Sequence, residues 1–117
     1  MLEDKAIELG RLIGQSPEYQ AVKRANDALS GDREAVTLLQ RLEQLRTEAQ
    51  RMIERGESPS ADMDKQLDDL LSSIQSRSVY QRAVAAQENF DKVMLRVNNW
   101  ILDGIKRGAT SSIITLG

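Results

Sequence analysis

Leucine, isoleucine, valine and alanine recur along this chain at steps of three and four, the spacing that lines one face of an α-helix. Leu2, Ala6, Leu9 and Ile13 form the first such stripe and predict a helix over about Leu2 to Gly14. Ser16-Pro17-Glu18 reads as the start of a second helix. Serine caps, proline fits the first helical position, and glutamate suits the positive end of the helix dipole. Its stripe is Val22, Ala25 and Leu29, and Ser30-Gly31 ends it. Asp32 is the next capping candidate, for a third helix running to about Arg55. There Ala35, Leu38, Leu42, Leu45, Ala49 and Met52 alternate steps of three and four, a heptad seam that Leu39 and Ile53 widen into a bundle face.

Gly56 is the expected stop, and Gly56-Glu57-Ser58-Pro59-Ser60 is a short loop. Either Ser58, with Pro59 at the first position, or Ser60 caps the fourth helix, about Ala61 to Gln75. Met63, Leu67, Leu70 and Ile74 are its seam. Two matching seams joined by a short loop predict an antiparallel hairpin. After Ser76-Arg77-Ser78, a fifth helix is predicted from about Val79 to Lys106, with Gly108 as its stop. Its seam is Ala83, Gln87, Phe90, Met94, Val97 and Ile101, broadened by Val93 and Trp100.

The expected architecture is all-α: about five helices, with a long antiparallel hairpin and a long C-terminal helix forming a bundle. Residues 1–108 read as one helical domain and 109–117 as a tail. That tail either frays or docks Ile113, Ile114 and Leu116 on a neighbour.

Composition narrows the function classes. Hydrophobic residues at 40% and charged residues at 29% fit an ordinary folded domain rather than a disordered chain. The absence of His and Cys removes imidazole bases, thiol chemistry, disulfides and the usual ligands for zinc. Aromatics at 3% are too few for a platform that stacks single-stranded nucleic acid. The net charge of -2 gives no strong field toward nucleic acid or an anionic membrane. No apolar run is long enough for a bilayer, and Met1-Leu2-Glu3-Asp4-Lys5 has no secretory character. The expected location is the cytoplasm.

Charge is unevenly placed. The fourth helix carries Asp62, Asp64, Asp68 and Asp69; the fifth carries Arg82, Lys92, Arg96, Lys106 and Arg107, with Arg77 beside it. Complementarity between neighbouring helices is one reading, and an acidic surface offered to a partner is the other. The aspartates lack the spacing of a calcium loop and read as a solvated face, with no metal expected. The cations scatter around the fifth helix, so direct nucleic-acid binding is not expected. Ser72, Ser73, Ser76 and Ser78 suit local capping better than nucleophilic catalysis, and Gly10, Gly14, Gly104 and Gly108 form no phosphate-binding pattern. No catalytic residue and no cofactor are expected.

The ordered set of motifs resembles a known family. Ala6-x-x-Leu9-Gly10-x-x-Ile13 leads to Ser16-Pro17-Glu18-Tyr19 and Ala25. Asp32-x-x-Ala35 opens the long helix that holds Leu39 and Leu42, and Gly56-x-x-Pro59 makes the hairpin loop. Val79-Tyr80-x-x-Ala83, Ala86-x-Glu88-x-Phe90 and Val97-Asn98-x-x-Ile101-x-x-x-Ile105 complete it. The chain is thereby similar to the YlbF/YmcA family of small bacterial helical proteins. The resemblance implies a self-associating, non-enzymatic regulator linked to competence, biofilm formation and sporulation. It also implies partners such as an mRNA-processing endoribonuclease or a paralogous helical protein. Some relatives hold an iron–sulfur cluster through cysteines, which this chain lacks. Ser76-Arg77-Ser78 stands where relatives often have a short Asn-Pro turn.

Two function classes follow. The first is an adapter that uses helix faces, with a homo-oligomer expected and a dimer favoured. Its candidate positions, core or interface, are Leu38, Leu42, Leu45, Ala49, Met52, Phe90, Val97, Trp100 and Ile101. The second is an RNA-associated accessory protein using the basic fifth helix.

Overall fold

The computed structural model describes the backbone of residues 1–116 and the side chains of residues 1–110. Five helices follow in chain order: α1 (Leu2–Gly14), α2 (Pro17–Gly31), α3 (Arg33–Glu54), α4 (Ala61–Gln75) and α5 (Ser78–Leu116). The protein is all-α, as its periodicity predicts.

The caps explain most boundaries. Ser16 Oγ accepts the Tyr19 amide at 3.2 Å, and Pro17 occupies the first turn of α2. Asp32 Oδ1 accepts the Ala35 amide at 2.9 Å and starts α3. The two candidates for α4 resolve in favour of Ser60, whose Oγ accepts the Met63 amide at 3.2 Å. Gly56 takes a positive φ of 79°. The Gly56 amide donates to Ile53 O at 3.0 Å and the Glu57 amide to Met52 O at 2.8 Å. This pair of bonds is a Schellman closure, and the left-handed position favours glycine.

One boundary differs from expectation. Helix α5 does not stop at Gly108 but continues to Leu116. Glycine inside a helix costs only about 1 kcal/mol relative to alanine, and a stop needs a competing cap or turn. None is supplied by the sequence after Gly108, and Thr110 Oγ1 donates to the Lys106 carbonyl at 2.9 Å within the continuing helix. Docking by Ile113, Ile114 and Leu116 lies outside the described side chains.

Helices α3 and α4 pack as the predicted antiparallel hairpin, and α2 packs along α5. The Tyr19 and Phe90 rings meet edge-on, with centroids 5.3 Å apart. Asp32, at the other end of α2, meets Arg77 at the start of α5. Helix α2 therefore runs antiparallel to α5. Helix α1 meets α2 where the chain turns between them, and none of its own residues is buried.

The result is an elongated bundle of 70 × 37 × 20 Å with a radius of gyration of 21.8 Å. A compact globule of this length would have a radius of about 13 Å. The core is correspondingly thin: among the described residues, Val22, Ala35, Leu42, Leu45, Ile74, Ala86 and Val97 are buried.

The two helix pairs meet at a joint. Arg77 Nη2 donates to Asp32 Oδ1 and Oδ2 at 3.0 and 3.2 Å, and Nη1 donates to Glu34 Oε2 at 2.9 Å. The Ala35 amide holds the Asp32 carboxyl below its ordinary range; burial opposes this, and the Arg77 hydrogen bond and charge reinforce it. A carboxyl whose pKa falls on folding stabilises the fold above its unfolded pKa, and that contribution disappears as pH drops through the folded value. Asp32→Asn keeps a capping side chain but has no such proton to bind. Its thermal midpoint is therefore expected to fall less steeply than that of the wild type below about pH 4. Parallel declines in the two proteins, followed by circular dichroism from about pH 5 to about pH 2, would count against this role.

Candidate interaction surface

Helix α5 is far longer than the helix that covers it. At about 100° per residue, Ala83, Ala86, Phe90, Val93, Met94 and Val97 share the face that meets α2. Helix α2 begins at Pro17, and its Tyr19 already lies beside Phe90. Beyond Val97 the same face continues as Trp100, Ile101, Gly104, Ile105 and Gly108, with no helix over it. All residues from 98 to 110 are exposed. Trp100 is 65% exposed and Ile105 60%, against 5% for Val97.

A second exposed line on α5 holds Leu95 and Leu102, on another side of the helix. A helix with apolar residues on more than one side is ordinarily buried. Helix α1 adds to the same end of the molecule the exposed side chains of Leu2, Ile7 and Leu12. The charges of the two segments differ, α1 being close to neutral once the N-terminal amine beside Asp4 is counted and distal α5 cationic. Helix α1 carries Glu3, Asp4 and Glu8 against Lys5 and Arg11, whereas the distal part of α5 carries Arg96, Lys106 and Arg107 against Asp103. Within α1, Arg11 Nη2 already pairs with both Glu8 carboxylate oxygens at 2.7 and 2.8 Å.

The structure separates the candidate positions into three groups. Leu42, Leu45 and Val97 are buried and belong to the core. Leu38, Ala49, Met52 and Phe90 are half-buried beside it. Trp100 and Ile101 are exposed. Sequence reasoning missed Leu95, Leu102 and Ile105 as surface residues. For Ile105 the available signal was length, since α5 extends the apolar face well beyond any stripe that α2 could cover; for Leu95 and Leu102 it was apolar residues recurring seven apart on the side away from the seam.

Complementarity between α4 and α5 is not what holds those helices. Asp62, Asp64, Asp68 and Asp69 make no ion pair among the described residues. Helix α5 lies along α2, and its junction partner Arg77 reaches Asp32 and Glu34 instead. Among the described residues no cluster of three acidic side chains is placed to hold a metal ion. No helix among them is long and apolar enough to cross a membrane. A broad surface concavity is lined by Gln40, Glu43, Gln44, Thr47, Glu48, Arg51 and Arg55, all from the polar side of α3. Its side chains come from a single helix and converge on no common point.

Comparison with known proteins places the chain in a family. The chain matches the family described as control of competence regulator ComK, YlbF/YmcA, over residues 2–106. It is similar to a UPF0342 protein of Limosilactobacillus reuteri (strain DSM 20016), 25% identical over 103 residues, covering 88% of this chain and 84% of that protein. A UPF0342 protein of Limosilactobacillus fermentum is 30% identical over 98 residues, covering 84% of this chain and 82% of the relative. A UPF0342 protein of Streptococcus pneumoniae (strain Hungary19A-6) is 31% identical over 85 residues, covering 73% and 76%. The family match includes α1, the hairpin and α5 as far as Lys106, so it takes in Trp100, Ile101 and Ile105. The chain belongs to the YlbF/YmcA family of regulators.

Proposed function

We propose that this protein is a non-enzymatic cytoplasmic regulator that works by joining helical proteins through the distal face of α5 together with α1. Its first partner is a second copy of itself, a dimer. A ribonuclease or a paralogous member of the family is the further partner, in keeping with the family's regulatory description. The observation that carries this reading is the uncovered apolar face around Trp100, Ile101 and Ile105. Tryptophan is enriched among residues that dominate binding energy, and exposed apolar patches of this kind mark interaction sites.

The test is a pull-down of the tagged full chain from lysate of its own organism, with and without ribonuclease treatment, beside the Ile105→Asp variant. Protein partners retained after ribonuclease and lost with Ile105→Asp are expected. Partners lost on ribonuclease treatment alone would replace this reading with RNA association through the cations of α5. Capture unchanged by Ile105→Asp would remove the distal face from the mechanism.

A further inference from the structure

The two helix pairs are connected by very little. The chain passes from α2 to α3 through Asp32 alone, which is extended at φ -90° and ψ 105°. It returns from α4 to α5 through Ser76 and Arg77. The extensive packing lies within the pairs, α2 on α5 and α3 on α4, while α2 with α3 and α4 with α5 meet near their shared joint. Two bodies tied at two adjacent points can rotate about the line through those points; Ala35 and Ile74, buried at this joint, hold the bodies together, but fixing the angle takes a directional bond. Arg77 supplies that bond. Its guanidinium grips Asp32, the other crossing residue, and also reaches Glu34 in the first turn of α3.

We propose that this joint is a hinge latched by Arg77, and that the latch sets the angle between the α3/α4 hairpin and the α2/α5 pair. The ion pairs link residues 45 and 43 positions apart, so they constrain the joint without belonging to any one helix. The latch is part-exposed rather than sealed: Arg77 and Asp32 side chains are 27% and 25% exposed. Leu38 and Thr37 line an open cleft beside it with Arg33, Glu34 and Arg77. The latched state also leaves Arg77 Nε buried without a hydrogen-bond partner. Rotation that admits water returns a partner to that donor, which lowers the cost of the open arrangement. Each helix pair keeps its own apolar seam in either arrangement. A change at the joint therefore swings the arms without dismantling them.

The chain has no cysteine, so two introduced ones can be labelled cleanly. Spin labels at Thr47→Cys on α3 and Asn89→Cys on α5, both exposed positions, would report the angle by pulsed dipolar spectroscopy. Diluting labelled chains with unlabelled ones removes distances between copies. With Arg77 intact, one narrow distance peak is expected. Arg77→Gln and Asp32→Asn are each expected to shift its mean and to lose the single narrow peak, with helical circular dichroism unchanged. Asp32→Asn retains the cap of α3, so it decides the matter if Arg77→Gln fails to fold. Unaltered peaks in folded variants would overturn the latch. Loss of helix in both variants would also overturn it, since the pair would then hold the fold rather than the angle.

Discussion

Leu45→Asp is expected to leave the chain largely unfolded at room temperature. Leu45 is 2% exposed on the α3 seam, inside the hairpin. Truncating a buried leucine to alanine already costs about 2–5 kcal/mol. A carboxylate at the same place adds the penalty of burying an unpaired charge, several kcal/mol more in effect. The whole stability of a domain is about 5–15 kcal/mol, and this one has a thin core. The loss is therefore comparable with everything that holds the fold. Leu45→Met, which keeps volume and polarity, is expected to cost less than about 1.5 kcal/mol. Urea denaturation followed by far-ultraviolet circular dichroism distinguishes the two. A Leu45→Asp protein with a near wild-type midpoint would show that the seam does not hold the hairpin.

Trp100→Asp should give the opposite pattern: an intact fold and lost self-association. The side chain is 65% exposed, so little packing within the chain depends on it. Substitutions at such positions usually change stability by no more than about 0.5 kcal/mol. If a second copy covers the distal face, the same indole becomes a central anchor. Removing such an anchor costs at least about 2 kcal/mol of binding, a weakening of about 30-fold. The new carboxylate, desolvated against apolar neighbours, weakens it further. Sedimentation velocity over a concentration series should show the wild type associating and Trp100→Asp remaining monomeric, with equal melting temperatures only at concentrations where the wild type is also monomeric. Equal sedimentation of the two proteins would move self-association to another surface.

Local chemistry made the helices legible, because most boundaries are decided by residues close to them. Ser16, Asp32 and Ser60 cap through their own side chains, and Gly56 closes α3 by adopting a backbone that other residues resist. The seam of α3 was legible for the same reason, since Leu42 and Leu45 sit where the heptad spacing puts them. The fates of Val97 and Ile101 were not. They lie one turn apart on one face of α5, yet the first is buried and the second exposed. That difference is set by what lies over α5 at each position and not by anything in α5 itself. The bond between Asp32 and Arg77 was equally hidden, because nothing local links residues so distant along the chain. Gly108 misled in the other direction: its intrinsic cost is real but small, and without a competing cap the helix runs through it.

The hairpin also dictates an order of assembly. Contacts between α3 and α4 join segments separated by one short loop, and such local contacts form fast. Pairing α2 with α5 requires closing a loop that contains both hairpin helices, an entropic cost that an open coil would bear in full. Once the hairpin has formed, its two ends lie side by side and Asp32 already faces Arg77. The remaining helices then zip from the joint outward, toward Tyr19 and Phe90. The arm that projects from the finished protein thus serves, during folding, as the splint on which the rest is set.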